Sequence, residues 1–234
     1  MKTKTKTKTK KATTATKTTA KGKETLVVFL LDRTGSMGTC RDEAISGFNS
    51  YVDGLGKSPN IRFTLVQFDS VSIDEIHSAV PINKVEKLDH NNYIPRAMTP
   101  LHDAVGRTIK STQKHAKGKR VVFATLTDGH ENASEEWDAL TIKAEIRRRE
   151  KEDDWTFVHI GVGTEGWDAA QRLASGTRSV GNVLHTNSAN LKRSIGKAGV
   201  QTVAYANASM SNDTDAMNKL KGDFFAGDKD DTKE

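Results

Sequence analysis

Two carboxylates and three hydroxyls, carried on three short polar segments, are the side chains of this sequence best suited to chemistry. The first segment is Asp32-Arg33-Thr34-Gly35-Ser36-Met37, the second Met98-Thr99-Pro100-Leu101, the third Thr127-Asp128-Gly129. Oxygen-only donors of which few are charged suit a hard cation, Mg2+ or alternatively Mn2+. The alternation Asp-x-Thr-x-Ser points three side chains to one side of an extended loop. Gly35 allows that loop to turn tightly without a Cβ clash. One carboxylate close to the ion, hydroxyls beside it and water elsewhere would leave a coordination position open to a ligand from outside. Asp32 or Asp128 in isolation would read as an ordinary turn residue; the set of three segments carries the inference.

The elements around these segments predict how they are brought together. Leu26–Leu31 reads as a buried strand, short and apolar, that ends directly at Asp32. A helix follows, with Ala44, Ile45, Phe48, Tyr51, Val52 and Leu55 at spacings of three and four. Ile61–Phe68 is a strand, and Val71–Ile76 pairs with it as an antiparallel hairpin. The stretch from about Ser78 to Thr99 is expected to be irregular. A helix opens after Pro100 and carries Leu101, Ala104, Val105, Thr108 and Ile109 on one face. Arg120–Leu126 is a strand, and a charged helix is expected over roughly Glu135–Glu152 with Trp137, Leu140, Ile142 and Ile146 as its apolar positions. The run Arg147-Arg148-Arg149 reads as a solvated face of that helix. Trp155–Val162 is a strand, followed by a short helix near Trp167–Ala174, a strand near Asn182–His185 and a last helix from about Ser188. Strands alternating with helices predict an α/β fold: a doubly wound, mostly parallel sheet with helices on both faces and one antiparallel edge strand. Ligands of such sheets sit at the carboxyl ends of the strands, which is where all three polar segments fall.

The order and spacing of these motifs resemble the von Willebrand factor A (VWA) family. Asp-x-Thr-Gly-Ser-Met after an apolar strand, a later Thr before Pro-Leu-x-Asp-Ala, and Thr-Asp-Gly after a further strand look like the three loops of its metal-ion-dependent adhesion site, over roughly residues 25–205. Gly47-Phe48-Asn49, Tyr93-x-Pro95-Arg96 and Thr127-Asp128-Gly129-x-Glu131-Asn132-Ala133-Ser134 look like an intracellular bacterial and phage branch. The resemblance implies that Asp32, Thr34, Ser36 and Thr99 hold the metal directly or through water, that Asp128 acts mainly through water, and that a partner protein supplies an Asp or Glu to the open position. Arg33, Met98, Glu131 and Asn132 are further candidates for touching that partner, although Glu131 and Asn132 could equally cap the helix entry near Glu135. Thr34 stands where many members have Ser, and Ala97-Met98 replace a Gly-Ser pair, a change expected to stiffen or shift the second loop.

Composition bounds the alternatives. A length of 234 residues suits one domain with tails, and 35% hydrophobic with 6% aromatic content leaves part of the chain unpacked. Residues 1–24 contain nine Lys and one Glu, a local charge of +8, so the other 210 residues carry −2 of the +6 total. This Lys/Thr tail is expected to be disordered, with at most weak, non-specific nucleic-acid binding. The folded part is expected over 25–208, with a polar, acidic tail over 209–234. Cys40 is the single cysteine and fits a reducing, cytoplasmic setting; no segment is long enough to span a bilayer. An enzyme is the main competing class, a Mg2+-dependent phosphotransferase or hydrolase built on Asp32. Against it, Thr34 stands where haloacid-dehalogenase-type enzymes usually place a second Asp, and no P-loop occurs.

Overall fold

The computed structural model describes residues 22–226 and 230–232; the expected disorder of residues 1–21 lies outside them. Seven strands form one sheet in the order β3-β2-β1-β4-β5-β6-β7. They are β1 (Thr25–Asp32), β2 (Ile61–Phe68), β3 (Ile73–Pro81), β4 (Arg120–Thr127), β5 (Trp155–Val162), β6 (Val183–Thr186) and β7 (Asp230–Asp231). Every pairing is parallel except that of β2 with β3. The helices are α1 (Arg41–Leu55), α2 (Leu101–Ala116), α3 (Ala139–Lys151), α4 (Gly163–Ala174), α5 (Leu191–Ser211) and α6 (Thr214–Gly222).

Strand β1 shows how the sheet is covered. All eight of its residues are buried, and its side chains alternate between two cores. Val27, Phe29 and Leu31 meet Phe48, Tyr51 and Leu55 of α1 and Ile195 and Tyr205 of α5. Leu26, Val28 and Leu30 meet Val105 and Ile109 of α2 and Ile142 and Ile146 of α3. A strand buried on both faces reads as one continuous apolar run, which is why Leu26–Leu31 is legible as central. The connections from β1 lead to β2 on one side, and β4 joins it on the other. The winding therefore reverses between β1 and β4, whose carboxyl ends are Asp32 and Thr127.

Four expectations are corrected. The hairpin strand extends to Pro81 rather than ending at Ile76, with register shifts opposite Phe63, Leu65 and Val66 and a left-handed Ala79. Those irregularities break the two-residue period that marks a strand in sequence. Helix α3 starts at Ala139, because Asp138 caps it by accepting from the amides of Leu140 and Thr141. Leu140 consequently points into solvent. In the Arg147–Arg149 run only part is solvated: Arg149 is buried, paired with Glu145 and Glu152 and laid over the Trp155 ring. Finally, the chain does not fray at Ser209. Helix α6 follows, and Phe224 and Phe225 are buried in the core, held where Asn182 accepts from the Phe224 amide and donates to the Lys221 carbonyl. At the other end, Lys23 and Glu24 belong to the folded part through ion pairs with Asp154 and Arg62. No helix among the described residues is long and apolar enough to cross a membrane.

Candidate metal centre

The three polar segments converge at the carboxyl ends of β1 and β4. Asp32 closes β1 and is fully buried. One carboxylate oxygen accepts from the Thr34 amide at 2.7 Å, the other from the Thr127 hydroxyl at 2.7 Å. The backbone then turns through a 3-10 segment, Gly35–Cys40, which places Thr34 and Ser36 on the same side, their hydroxyl oxygens 3.3 Å apart. The Ser36 hydroxyl donates to Asp128 Oδ1 at 2.7 Å, which ties the first loop to the third. The second loop arrives through backbone pairs: the Gly35 amide bonds to the Ala97 carbonyl and the Arg96 amide to the Arg33 carbonyl. It delivers Thr99, nearly buried, whose hydroxyl has no hydrogen-bond partner among the described residues.

Gly129 marks the point of convergence. A Cβ at that position would lie 3.4 Å from Thr99 Oγ1 and 3.5 Å from Ser36 Oγ, so a methyl group there would occupy the space onto which these hydroxyls open. Asp32, Thr34, Ser36, Thr99 and Asp128, the five residues expected to hold the metal, thus come together at this end of the sheet.

The electrostatics suit a cation. Burial pushes the Asp32 carboxyl up to about 7, against the lowering effect of the hydrogen bonds from Thr127 and Thr34. Asp128 is also raised, by burial first, with the Ser36 bond opposing and the Glu165 charge adding to it. A divalent ion between the two would offset that burial cost and hold both as carboxylates. Among the described residues no three His, Cys, Asp or Glu side chains gather at one point, so the hydroxyls have to complete any metal shell. That composition suits Mg2+ or Mn2+. Cys40 follows the first loop, buried, its thiol pushed up to about 12 chiefly by burial, which disfavours the thiolate.

The candidates for partner contact divide. Met98 is 56% exposed beside Thr99, with the neighbouring Val71 exposed as well. Arg33 turns inward: its guanidinium binds Asp69 at 2.7 Å and Asp74 at 2.6 Å, and Arg96 shares Asp69 at 2.9 Å. The Glu131 carboxylate accepts from the amides of His102, Ala133 and Ser134 and from the Ser134 hydroxyl. It therefore caps the start of α2, not an entry at Glu135. Asn132 Oδ1 accepts from the Thr99 amide, and its own amide bonds to the Thr99 carbonyl, so Asn132 aims the second loop.

Two supporting residues are absent from the sequence-based site. Asp103 is buried in the first turn of α2 and accepts from the amides of Glu135, Glu136 and Trp137. Tyr93 is buried and donates its hydroxyl to the Asp32 carbonyl at 2.6 Å. The signal for Asp103 was present, an acidic residue inside an otherwise apolar helix face after Pro-Leu. Asn49 of α1 plays a similar part by bonding both the amide and the carbonyl of Leu88, which anchors the long segment leading to Tyr93.

The model of the von Willebrand factor type A domain family matches residues 27–198. No curated protein matches the sequence significantly. Among solved structures, a von Willebrand factor type A protein from Catenulispora acidiphila aligns over 78% of this chain and 43% of its own length, at 15% identity and a TM-score of 0.57. The vWF domain of the type V pili tip protein Mfa5 from Porphyromonas gingivalis aligns over 82% of this chain and 97% of its own, at 11% identity and a TM-score of 0.59. The PilB minor pilin from Streptococcus sanguinis aligns over 79% and 62%, at 13% identity and a TM-score of 0.55. At these identities the likeness is one of fold. The chain spans less than half the length of the first of these structures.

Proposed function

This chain belongs to the von Willebrand factor type A family, and on that premise we propose that it is a metal-dependent protein-interaction module. Asp32, Thr34, Ser36, Thr99 and Asp128 would hold Mg2+, or Mn2+ in its place. The metal would bind the carboxylate of an Asp or Glu on a partner protein, and Met98, beside Thr99, would touch the partner around it.

The observation that carries this reading is the pair of opposites at the site. A fully buried carboxylate, pushed toward its acid form by burial, lies at the loops that also bring in a Thr99 hydroxyl with no hydrogen-bond partner among the described residues, and a Cβ at Gly129 would touch that hydroxyl and Ser36 Oγ. Burying a carboxylate that has only two hydrogen-bond donors is costly, and one hard cation would offset that cost and answer the Thr99 hydroxyl as well. The cation would polarise an incoming carboxylate. The chain's own part is to exclude water from Asp32, orient the hydroxyls and hold the loops in register.

Retention of proteins from the native host on the immobilised chain, with Mg2+ against EDTA, tests the proposal. Proteins held by the wild type in Mg2+, and released by EDTA or by Asp32→Ala, are expected. Identical retention in EDTA contradicts it. Metal-dependent turnover of a generic phosphate ester, lost in Asp32→Asn, would establish the enzymatic alternative instead.

A further inference from the structure

The fold holds a second concavity, beside the metal centre, on the α2-α3-α4 face of the sheet, with His102 and His130 on its lining next to the second and third loops. It has a volume of about 520 Å3, within the range of roughly 300–1,000 Å3 typical of small-molecule sites. Its floor is apolar: Leu101 of α2 with Ala169 and Leu173 of α4, all three buried yet lining the cavity. Its rim carries Lys143 of α3 and Arg172 of α4. Neither cation has a hydrogen-bond or ion-pair partner among the described residues. The contrast on α3 itself is sharp, since Arg148 and Arg149 are paired with Glu145 and Arg147 bonds the Gly176 carbonyl. The one carboxylate among the lining residues, Glu131, accepts from three amides and a hydroxyl and lies 3.6 Å from His102 Nδ1, so it pairs with neither Lys143 nor Arg172.

We propose that this cavity binds a free small organic anion with an apolar body, a monocarboxylate of medium chain length. Two unpaired cations from different helices, set over an apolar floor, complement a ligand that is charged at one end and apolar along its length. A neutral hydrocarbon would leave the cations unanswered, and a small inorganic anion would leave the floor wet. The floor belongs to the same packed layer as Val105, Ile109 and Ile142, so it is formed before any ligand arrives.

Calorimetric titration of the full chain with decanoate, below its micellar concentration and in EDTA so that no metal takes part, tests this. One decanoate per chain is expected, with decanol and acetate each at least ten-fold weaker. The double variant Lys143→Ala/Arg172→Ala should weaken decanoate at least ten-fold and leave decanol unchanged. Ala139→Trp, at an exposed position on the lining, should weaken both. The proposal is overturned if decanoate does not bind, if it binds many per chain, if decanol binds as tightly, or if the double variant is unaffected. A short acidic peptide such as acetyl-Glu-Leu-Leu-amide that binds here when decanoate does not would also overturn it, by making the cavity a peptide site.

Discussion

Asp32 and Asp103 are both buried carboxylates at the same end of the sheet, and their surroundings are opposite. Asp103 is saturated by three backbone amides from the segment after the third loop. Asp32 receives one amide and one hydroxyl, lies fully buried, and is pushed up to about 7. A buried acid that is saturated fixes structure, whereas one left short of donors is poised for a cation. Glu131 falls with Asp103, and so do Arg33 and Asp69, whose charges answer each other. The site is thus a small under-satisfied centre inside a ring of fully satisfied polar groups, and the ring holds the loops still.

The comparison breaks most visibly at Asp103. Asp103→Ala strands three amides in a partly buried loop, and bonds to charged acceptors are worth roughly 1.5–3 kcal/mol each before non-additivity, so a loss of about 4 kcal/mol is expected by denaturant unfolding. An unchanged midpoint would mean that water replaces the carboxylate at no cost.

Asp32 should behave in the opposite sense. Its folded pKa lies above the unfolded one, so its contribution to the stability of the metal-free protein is complete below about pH 4 and is lost as pH rises through about 7. Urea unfolding in EDTA should therefore weaken between pH 4 and 8, by an amount on the order of 3 kcal/mol. Asp32→Asn, which keeps the shape and removes the titration, should flatten that part of the profile. An identical slope in the variant would assign the loss to other groups.

Gly129→Ala sharpens the claim about space. Thermal stability is expected to stay within about 1 kcal/mol, because the added methyl meets only ordinary contacts, while Mg2+ affinity falls at least ten-fold. A smaller and different effect is expected at Ala97, which adopts the left-handed conformation with φ of 60° where glycine is at ease. Ala97→Gly should stabilise the chain by a few tenths to about 1 kcal/mol, less whatever the unfolded state gains in freedom. Thermal unfolding that falls by 1 kcal/mol or more would show that the loop carries no strain there.

Most of the fold is legible in the sequence because buried parallel strands and amphipathic helices write local periodicities. β1 holds a continuous apolar run, β4 and β5 are largely apolar, and α1 and α2 keep their apolar spacing. Two of the misreadings, at the start of α3 and at the C-terminal segment, involve long-range polar capture. Asp103 takes the amides of 135–137 and so delays α3, and Asn182 holds the Phe224 segment that composition alone assigns to a tail. Neither partner is near in sequence. At the site, the metal-facing oxygens are legible because they sit in three short motifs. The supporting ring is harder to read because Arg33, Glu131 and Asn132 look like surface residues until their distant partners, 29–41 positions away, are known. Gly47-Phe48-Asn49 and the Tyr93-x-Pro95-Arg96 stretch serve the same ring: Gly47 lets Ile195 of α5 approach α1, and Asn49, Tyr93 and Arg96 tether the loops.

The most direct measurement is calorimetric titration of the wild type and Asp32→Ala with Mg2+ and with Mn2+ at pH 8, where Asp32 is ionised. One ion per wild-type chain is expected, bound weakly because most of its ligands are neutral, with no detectable binding by the variant. Equal metal binding by the two proteins would remove Asp32 from the centre and contradict the account.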